Sequence, residues 1–183
     1  AGLTPEQNLV VNTHLAISEA GKLHYRASPQ VLAGTTGLVR VDDAPVALHV
    51  GKSFMQARQP DAFFPLDISA YGVDRSHADP APLSIALTLL QTKPYVLNGV
   101  DGLAPSCDGV GTLYYSVTGL QLGAGSTLTL DGKTHRLAHG KLWYDHQWGT
   151  GFLPAGNVQS MGLRALQNIS QESSNDQIGG WEW

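Results

Sequence analysis

The chain has 183 residues, enough to bury one sizeable core, and carries a formal net charge of -4. Charged residues make up only 14% of it, and its 11 Lys and Arg are scattered without a basic run, which argues against a nucleic-acid-binding surface. The single Cys107 excludes an internal disulfide, and no apolar run is long enough to span a bilayer.

With 21 Gly and 10 Pro, turns are frequent, and the apolar residues between them follow the two-residue period of strands. Residues 10–18 end in the alternation His14-Leu15-Ala16-Ile17-Ser18, and residues 22–27 return after Glu19-Ala20-Gly21, which predicts a hairpin. Residues 38–41 and 46–50 flank Asp42-Asp43-Ala44-Pro45, a second turn. Residues 61–67 and 68–73 carry aromatic and β-branched strand formers, residues 75–82 read as a loop, and residues 83–91 alternate until Lys93-Pro94 stops them. Residues 112–117 and 120–122 lead through Gly123-Ala124-Gly125 to the strict alternation of residues 126–130. Asp131-Gly132 is the strongest hairpin signal in the chain and returns it along residues 133–140. Residues 160–166 offer a short helical alternative, and residues 168–180 read as a polar loop. The sum is an antiparallel meander of short strands in one domain, the pattern of an all-β barrel or sandwich. Trp181-Glu182-Trp183 reads as a strand start whose indoles a following segment or a partner chain is expected to cover.

The chemically distinctive stretch is Trp143-Tyr144-Asp145-His146-Gln147-Trp148-Gly149. On a strand it places Trp143, Asp145 and Gln147 on one face and Tyr144, His146 and Trp148 on the other, where they would line one cavity. Desolvation between aromatic rings favours a neutral imidazole, whereas a neighbouring carboxylate favours the charged form. Either makes a tunable acid or base that can protonate an alkene or activate water, with aromatic faces to stabilise a cation. The ordinary roles of these residue types are core packing for Trp and Tyr and, for Asp145, capping of the Gly149-Thr150-Gly151 turn; the residues alone leave both readings open.

Tyr114 and Ser116 point to one side and form a second candidate pair, with Tyr115 expected in the core. His135 and His139 have a spacing that suits a metal on a helix, but the segment is predicted as a strand, so no metal is expected. His14 and His24 lie on opposite arms of the first predicted hairpin, without a further ligand. Cys107, in the turn-rich residues 104–109, has no base near it in sequence and reads as a loop thiol. Asn168-Ile169-Ser170 is a sequon of use only in a secretory pathway. The N-terminal residues lack the order of a signal peptide, so the chain is expected to be soluble, with secreted and cytoplasmic compartments both open. No Gly-x-Ser-x-Gly elbow, phosphate-binding Gly-rich loop or His-Glu-x-x-His occurs, which removes the main support for serine hydrolase, nucleotide-binding and zincin readings.

Several segments together resemble a known family. They are Lys93-Pro94-Tyr95-Val96-Leu97-Asn98-Gly99, Tyr114-Tyr115-Ser116, the hairpin through Asp131-Gly132-Lys133, residues 140–149 and Gly180-Trp181-Glu182-Trp183, with a weaker echo in residues 12–18. They are similar to the carotenoid 1,2-hydratase (hydroxyneurosporene synthase) and AttH-like group of lipocalin-like proteins, which includes kievitone hydratase and fungal cyclases. The resemblance implies two tandem lipocalin-like (calycin) β-barrels with a site for a hydrophobic ligand. Residues 1–178 would be the first barrel and residues 179–183 the start of the second or its linking strand. It implies hydration or cyclisation of an apolar alkene without a cofactor, with His146 and Asp145 as catalytic candidates. Trp148, Tyr144, Trp143, Tyr114 and Ser116 would bind the substrate. A binding protein for a small apolar ligand, or a cyclase whose barrel only folds its substrate, are the alternatives. The chain departs from the family's pattern at Gln147, where many relatives have Glu, and no position matches the Tyr and Asp that the hydratases use further along.

Overall fold

A computed structural model of the chain describes residues 4, 6–18, 25–26, 30–74, 80–105 and 111–149. Among these residues the structure is antiparallel strand, with two short 3-10 turns at Glu6–Asn8 and Gly34–Thr36. The chain divides into two compact units, one of residues 1–92 and 119–142, the other of residues 93–118 and the segment from Trp143 on.

In the first unit, β1 (Val10–Thr13) pairs with β4 (Gln30–Ala33), and β2 (Ala16–Ile17) pairs with β3 (Tyr25–Arg26). The first predicted hairpin is therefore formed by β2 and β3, while Val10–Thr13 finds its partner further along, beyond residue 29. A meander follows: β5 (Val39–Asp43), β6 (Val46–Val50), β7 (Ser53–Ala57), β8 (Leu66–Asp74) and β9 (Ala81–Gln91), each antiparallel to the next. Among the described residues this ladder ends at β5.

The remaining strands are β10 (Val96–Leu97), β11 (Leu103–Pro105), β12 (Gly111–Leu122), β13 (Thr127–Leu130), β14 (Lys133–Arg136) and β15 (Leu142–Trp148). The last residues of β12 pair with β9 through Leu120 opposite Gln91 and Leu122 opposite Leu89. β13 takes up β9 further along, with Leu128 opposite Ile85. The turn from β13 to β14 has Asp131 at φ 50° and Gly132 at φ 71°. Two successive positive values make the primed turn whose twist suits a hairpin, and only Gly or a short polar residue adopts it at low cost.

Alternation builds the core. In β9, Leu83 and Leu89 lie on one face, and Leu89 stands between Leu66 of β8 and Leu122 of β12, with Leu66 and Leu89 both buried; Ala47 and Val50 of β6 are buried from opposite faces of their strand. Among the described residues, Val39, Ala57, Phe64, Leu83 and Leu120 are also buried in this unit. Full burial of each Leu is worth about 1.5–3 kcal/mol, so stability rests on this patch.

Three expectations change. Residues 61–67 and 68–73 are not two strands: the chain leaves β7 at Ala57, and Arg58 N–H donates to the Pro65 carbonyl at 3.0 Å, closing a loop from which one long β8 emerges. Pro60 and Pro65 lack the N–H a ladder needs, which keeps this aromatic run out of the sheet, and Phe63 meets Phe64 edge to face at 5.1 Å. Conversely, residues 112–117 and 120–122 form a single strand. Gly119 stays extended within it, its carbonyl accepting from the Thr92 N–H at 2.7 Å and the Thr92 hydroxyl at 2.9 Å. The predicted loop at residues 75–82 also ends earlier, because Ala81 and Pro82 already belong to β9. The expectations for His24, Cys107, residues 160–166, Asn168 and residues 179–183 fall outside the described residues.

Candidate functional site

The second unit holds the tryptophan-rich motif. Here β12 is the organising strand: β10 pairs with it through Leu97 opposite Tyr115, β11 through Leu103 opposite Leu113, and β15 also pairs with it. Residues directly opposite share a face, and successive residues alternate between faces. One face therefore carries Tyr95, Leu97, Leu103, Leu113 and Tyr115, and the other carries Val96, Asn98, Thr112, Tyr114 and Ser116.

β15 adds its even-numbered residues to the first face. Tyr115 lies at its centre, with ring centroids 5.1 Å from Tyr95, 6.3 Å from Tyr144, 5.3 Å from His146 and 5.8 Å from Trp148. His146 and Trp148 are 4.6 Å apart and tilted by 35°. The Tyr115 hydroxyl is 3.2 Å from His146 Nδ1. Burial pushes the Tyr144 hydroxyl far above the ordinary phenol range, with Tyr115 adding to the shift, and burial raises Tyr115 as well. Burial among the rings lowers His146 below the usual imidazole value, so its neutral form is favoured.

The odd-numbered residues of β15 go to the other face and meet polar partners. Asn98 Nδ2 donates to Ser116 Oγ at 2.9 Å, and Ser116 Oγ donates to Asp145 Oδ1 at 2.5 Å. The Trp143 indole N–H donates to the same carboxylate oxygen at 2.6 Å, and Gln147 Nε2 donates to Thr112 Oγ1 at 2.6 Å. Ser116 is only 1% exposed and Thr112 is buried, whereas Leu97 is 59% and Trp148 42% exposed. Hydrogen-bonded polar groups are thus buried at Ser116 and Thr112, although Trp143 and Val96 on the same face are exposed, and the strip of rings and leucines on the other face is part-exposed up to the buried Val117.

The structure brings Tyr144, His146 and Trp148 together, as the alternation of the motif requires, and adds Tyr115 at their centre. It brings Asp145, Trp143 and Ser116 together on the opposite face, so the His146 ring and the Asp145 carboxylate do not converge on one point. Tyr114 shares the parity of Ser116, and its main chain is fixed by Asn98 N–H donating to its carbonyl at 3.1 Å and by its own N–H donating to Gly102 O at 2.7 Å. From the sequence alone Tyr115 is expected in the core, and Tyr95 and Asn98 enter only within the family-like segment and carry no site role; the available signal is parity, since Tyr115 lies on the face of β12 opposite to Tyr114 and Ser116. His135 and His139 are both exposed, and β14 ends at Arg136, before the second of them. Among the described residues no three His, Cys, Asp or Glu side chains stand together as a metal site, and no helix is long and apolar enough to cross a membrane.

Antiparallel strands, short turns and an apolar strip of this kind define an all-β, lipocalin-like protein. The family model for AttH-like proteins matches residues 5–160, most of the chain, which therefore belongs to the AttH-like family. No curated protein and no solved structure matches it.

Proposed function

We propose that the chain supplies the proton-transferring, cation-stabilising wall of an enzyme that hydrates or cyclises an apolar alkene of prenyl or polyene type, as its likeness to the carotenoid 1,2-hydratases implies. The observation that carries this reading is the Tyr144, Tyr115, His146 and Trp148 cluster, in which one imidazole is held by a phenol on an otherwise apolar face. An imidazole whose pKa is lowered by desolvation is a stronger acid once protonated and remains an unprotonated base in the resting state.

In this mechanism neutral His146 first takes a proton from solvent at Nδ1, the imidazolium then gives its Nε2 proton to one alkene carbon, and the π-faces of Trp148, Tyr144 and Tyr115 stabilise the resulting cation. For hydration, water adds to the cationic carbon and returns a proton to Nε2, so that alkene plus water becomes an alcohol and His146 is regenerated. For cyclisation, an internal double bond attacks the cation, and the proton returned to Nε2 comes from an adjacent C–H. Asp145 acts from the opposite face, where it fixes the strand through Ser116 and Trp143. Tyr114, by its parity with Ser116, belongs to that supporting layer. No organic cofactor takes part. A second barrel, in the same polypeptide or in a partner, covers the half-exposed strip and completes the site. The continuation of that strip over Leu97, Leu103 and Leu113 also favours a second reading, a binding protein that holds an apolar ligand without transforming it.

The test is to follow binding of prenyl and polyene probes by tryptophan fluorescence and their conversion by mass spectrometry, in the wild type and in His146→Gln. The mechanism predicts retained binding with turnover reduced by about 10²–10⁴-fold, the usual contribution of a general acid or base. Full turnover in His146→Gln removes His146 as the proton donor, and tight binding without any product establishes the second reading.

A further inference from the structure

We infer that Tyr115 is a positioning residue: its hydroxyl holds His146 in the tautomer that keeps Nδ1 unprotonated and presents the Nε2–H edge to whatever occupies the aromatic face. This rests on the proton-transfer reading for its purpose, but not for its geometry.

Tyr115 Oη stands 3.2 Å from His146 Nδ1. A phenol is a strong donor and a weak acceptor, and an unprotonated imidazole nitrogen is a strong acceptor, so O–H···N is favoured over N–H···O between them. The proton of Tyr115 is therefore directed at Nδ1. A neutral imidazole accepts through one nitrogen and donates through the other, so acceptance at Nδ1 leaves the ring proton on Nε2.

The ring itself is fixed from two sides, edge to face against Tyr115 at 5.3 Å and tilted onto Trp148 at 4.6 Å, which limits flipping that would exchange the two nitrogens. Among the described residues the titratable side chains in this cluster are Tyr144 on the same strand, Tyr115 on β12, and Tyr95, which faces Tyr115 from β10's approach. All three are phenols, and the Asp145 carboxylate is engaged on the opposite face with Ser116 and Trp143. The tautomer is therefore set by the Tyr115 hydroxyl and not by a carboxylate.

The experiment is ¹⁵N NMR of the imidazole nitrogens in the full chain without ligand, with His146 assigned by difference from His146→Gln. Above its titration the wild type is expected to show Nδ1 unprotonated and Nε2 protonated. Tyr115→Phe keeps the ring and its packing but removes the hydroxyl, and is expected to move both nitrogens towards the averaged values of a mixed tautomer. A wild-type His146 protonated at Nδ1 overturns the proposal, as does a Tyr115→Phe spectrum with unchanged tautomer. Because no turnover is read, failure of the hydratase or cyclase reading leaves this outcome intact, and loss of activity in Tyr115→Phe with an unchanged tautomer counts against the positioning role of Tyr115 alone.

Discussion

Asp67 accepts both arms of the Arg58 guanidinium at 2.8 Å and the Thr88 hydroxyl at 2.7 Å, which ties β8 to β9 and to the residue that follows β7. The hydrogen bond from Arg58 is the main cause that holds its carboxyl below the usual carboxylate range, with Thr88 and the charge of Arg58 acting in the same direction against burial. A carboxyl with a depressed folded-state pKa favours the fold while ionised; its contribution is present at neutral pH and is lost as pH falls through that depressed value. Urea midpoints measured from pH 7 down to pH 2 should therefore decline at the acid end, and Asp67→Asn should flatten that decline while lowering the midpoint at pH 7. An unchanged acid limb in the variant would show that Asp67 is not a group responsible for it. His146 works in the same pH direction for a different reason: its lowered value makes protonation costly in the folded state, so stability falls as pH drops below 6.5, its ordinary value.

Between β10 and β11 the chain turns so that Asn98 lies beside Ser116, and Gly99 makes this possible. Its φ is +69°, and a Cβ there would stand 2.1 Å from the Leu103 carbonyl oxygen, a backbone atom that cannot move aside. Gly99→Ala is predicted to destabilise the protein by at least about 1–3 kcal/mol, the usual cost of overpacking a fixed contact, measured as a lower urea midpoint. A neutral substitution would show that the turn is not held as described. Elements were legible in sequence where alternation and turn chemistry agreed, as at Asp131-Gly132 and in β15. β7 was missed because Ser53-Phe54-Met55-Gln56-Ala57 alternates weakly, and β10 and β11 are too short to show a period at all. The two faces of the motif were readable from parity. What parity on a single strand could not supply was the partner strand: that Tyr115 meets the even residues of β15, and Ser116 the odd ones, depends on tertiary pairing.

For the molecule as a whole, membership of the AttH-like family and the antiparallel, lipocalin-like strand arrangement agree with the class read from composition and turn spacing. The first unit carries the apolar core around Leu66, Leu83 and Leu89, and the second unit carries the sheet with the Tyr115, His146 and Trp148 rings on one face and the Ser116–Asp145 hydrogen bond on the other. In our account the first stabilises the fold and the second does the chemistry. The most direct test of that chemistry is turnover of an acyclic prenyl or polyene probe in D₂O, with the product analysed by mass spectrometry and NMR. The account predicts one deuterium on carbon per product molecule, its rate of incorporation collapsing in His146→Gln. A product formed at the wild-type rate with no deuterium on carbon would contradict it.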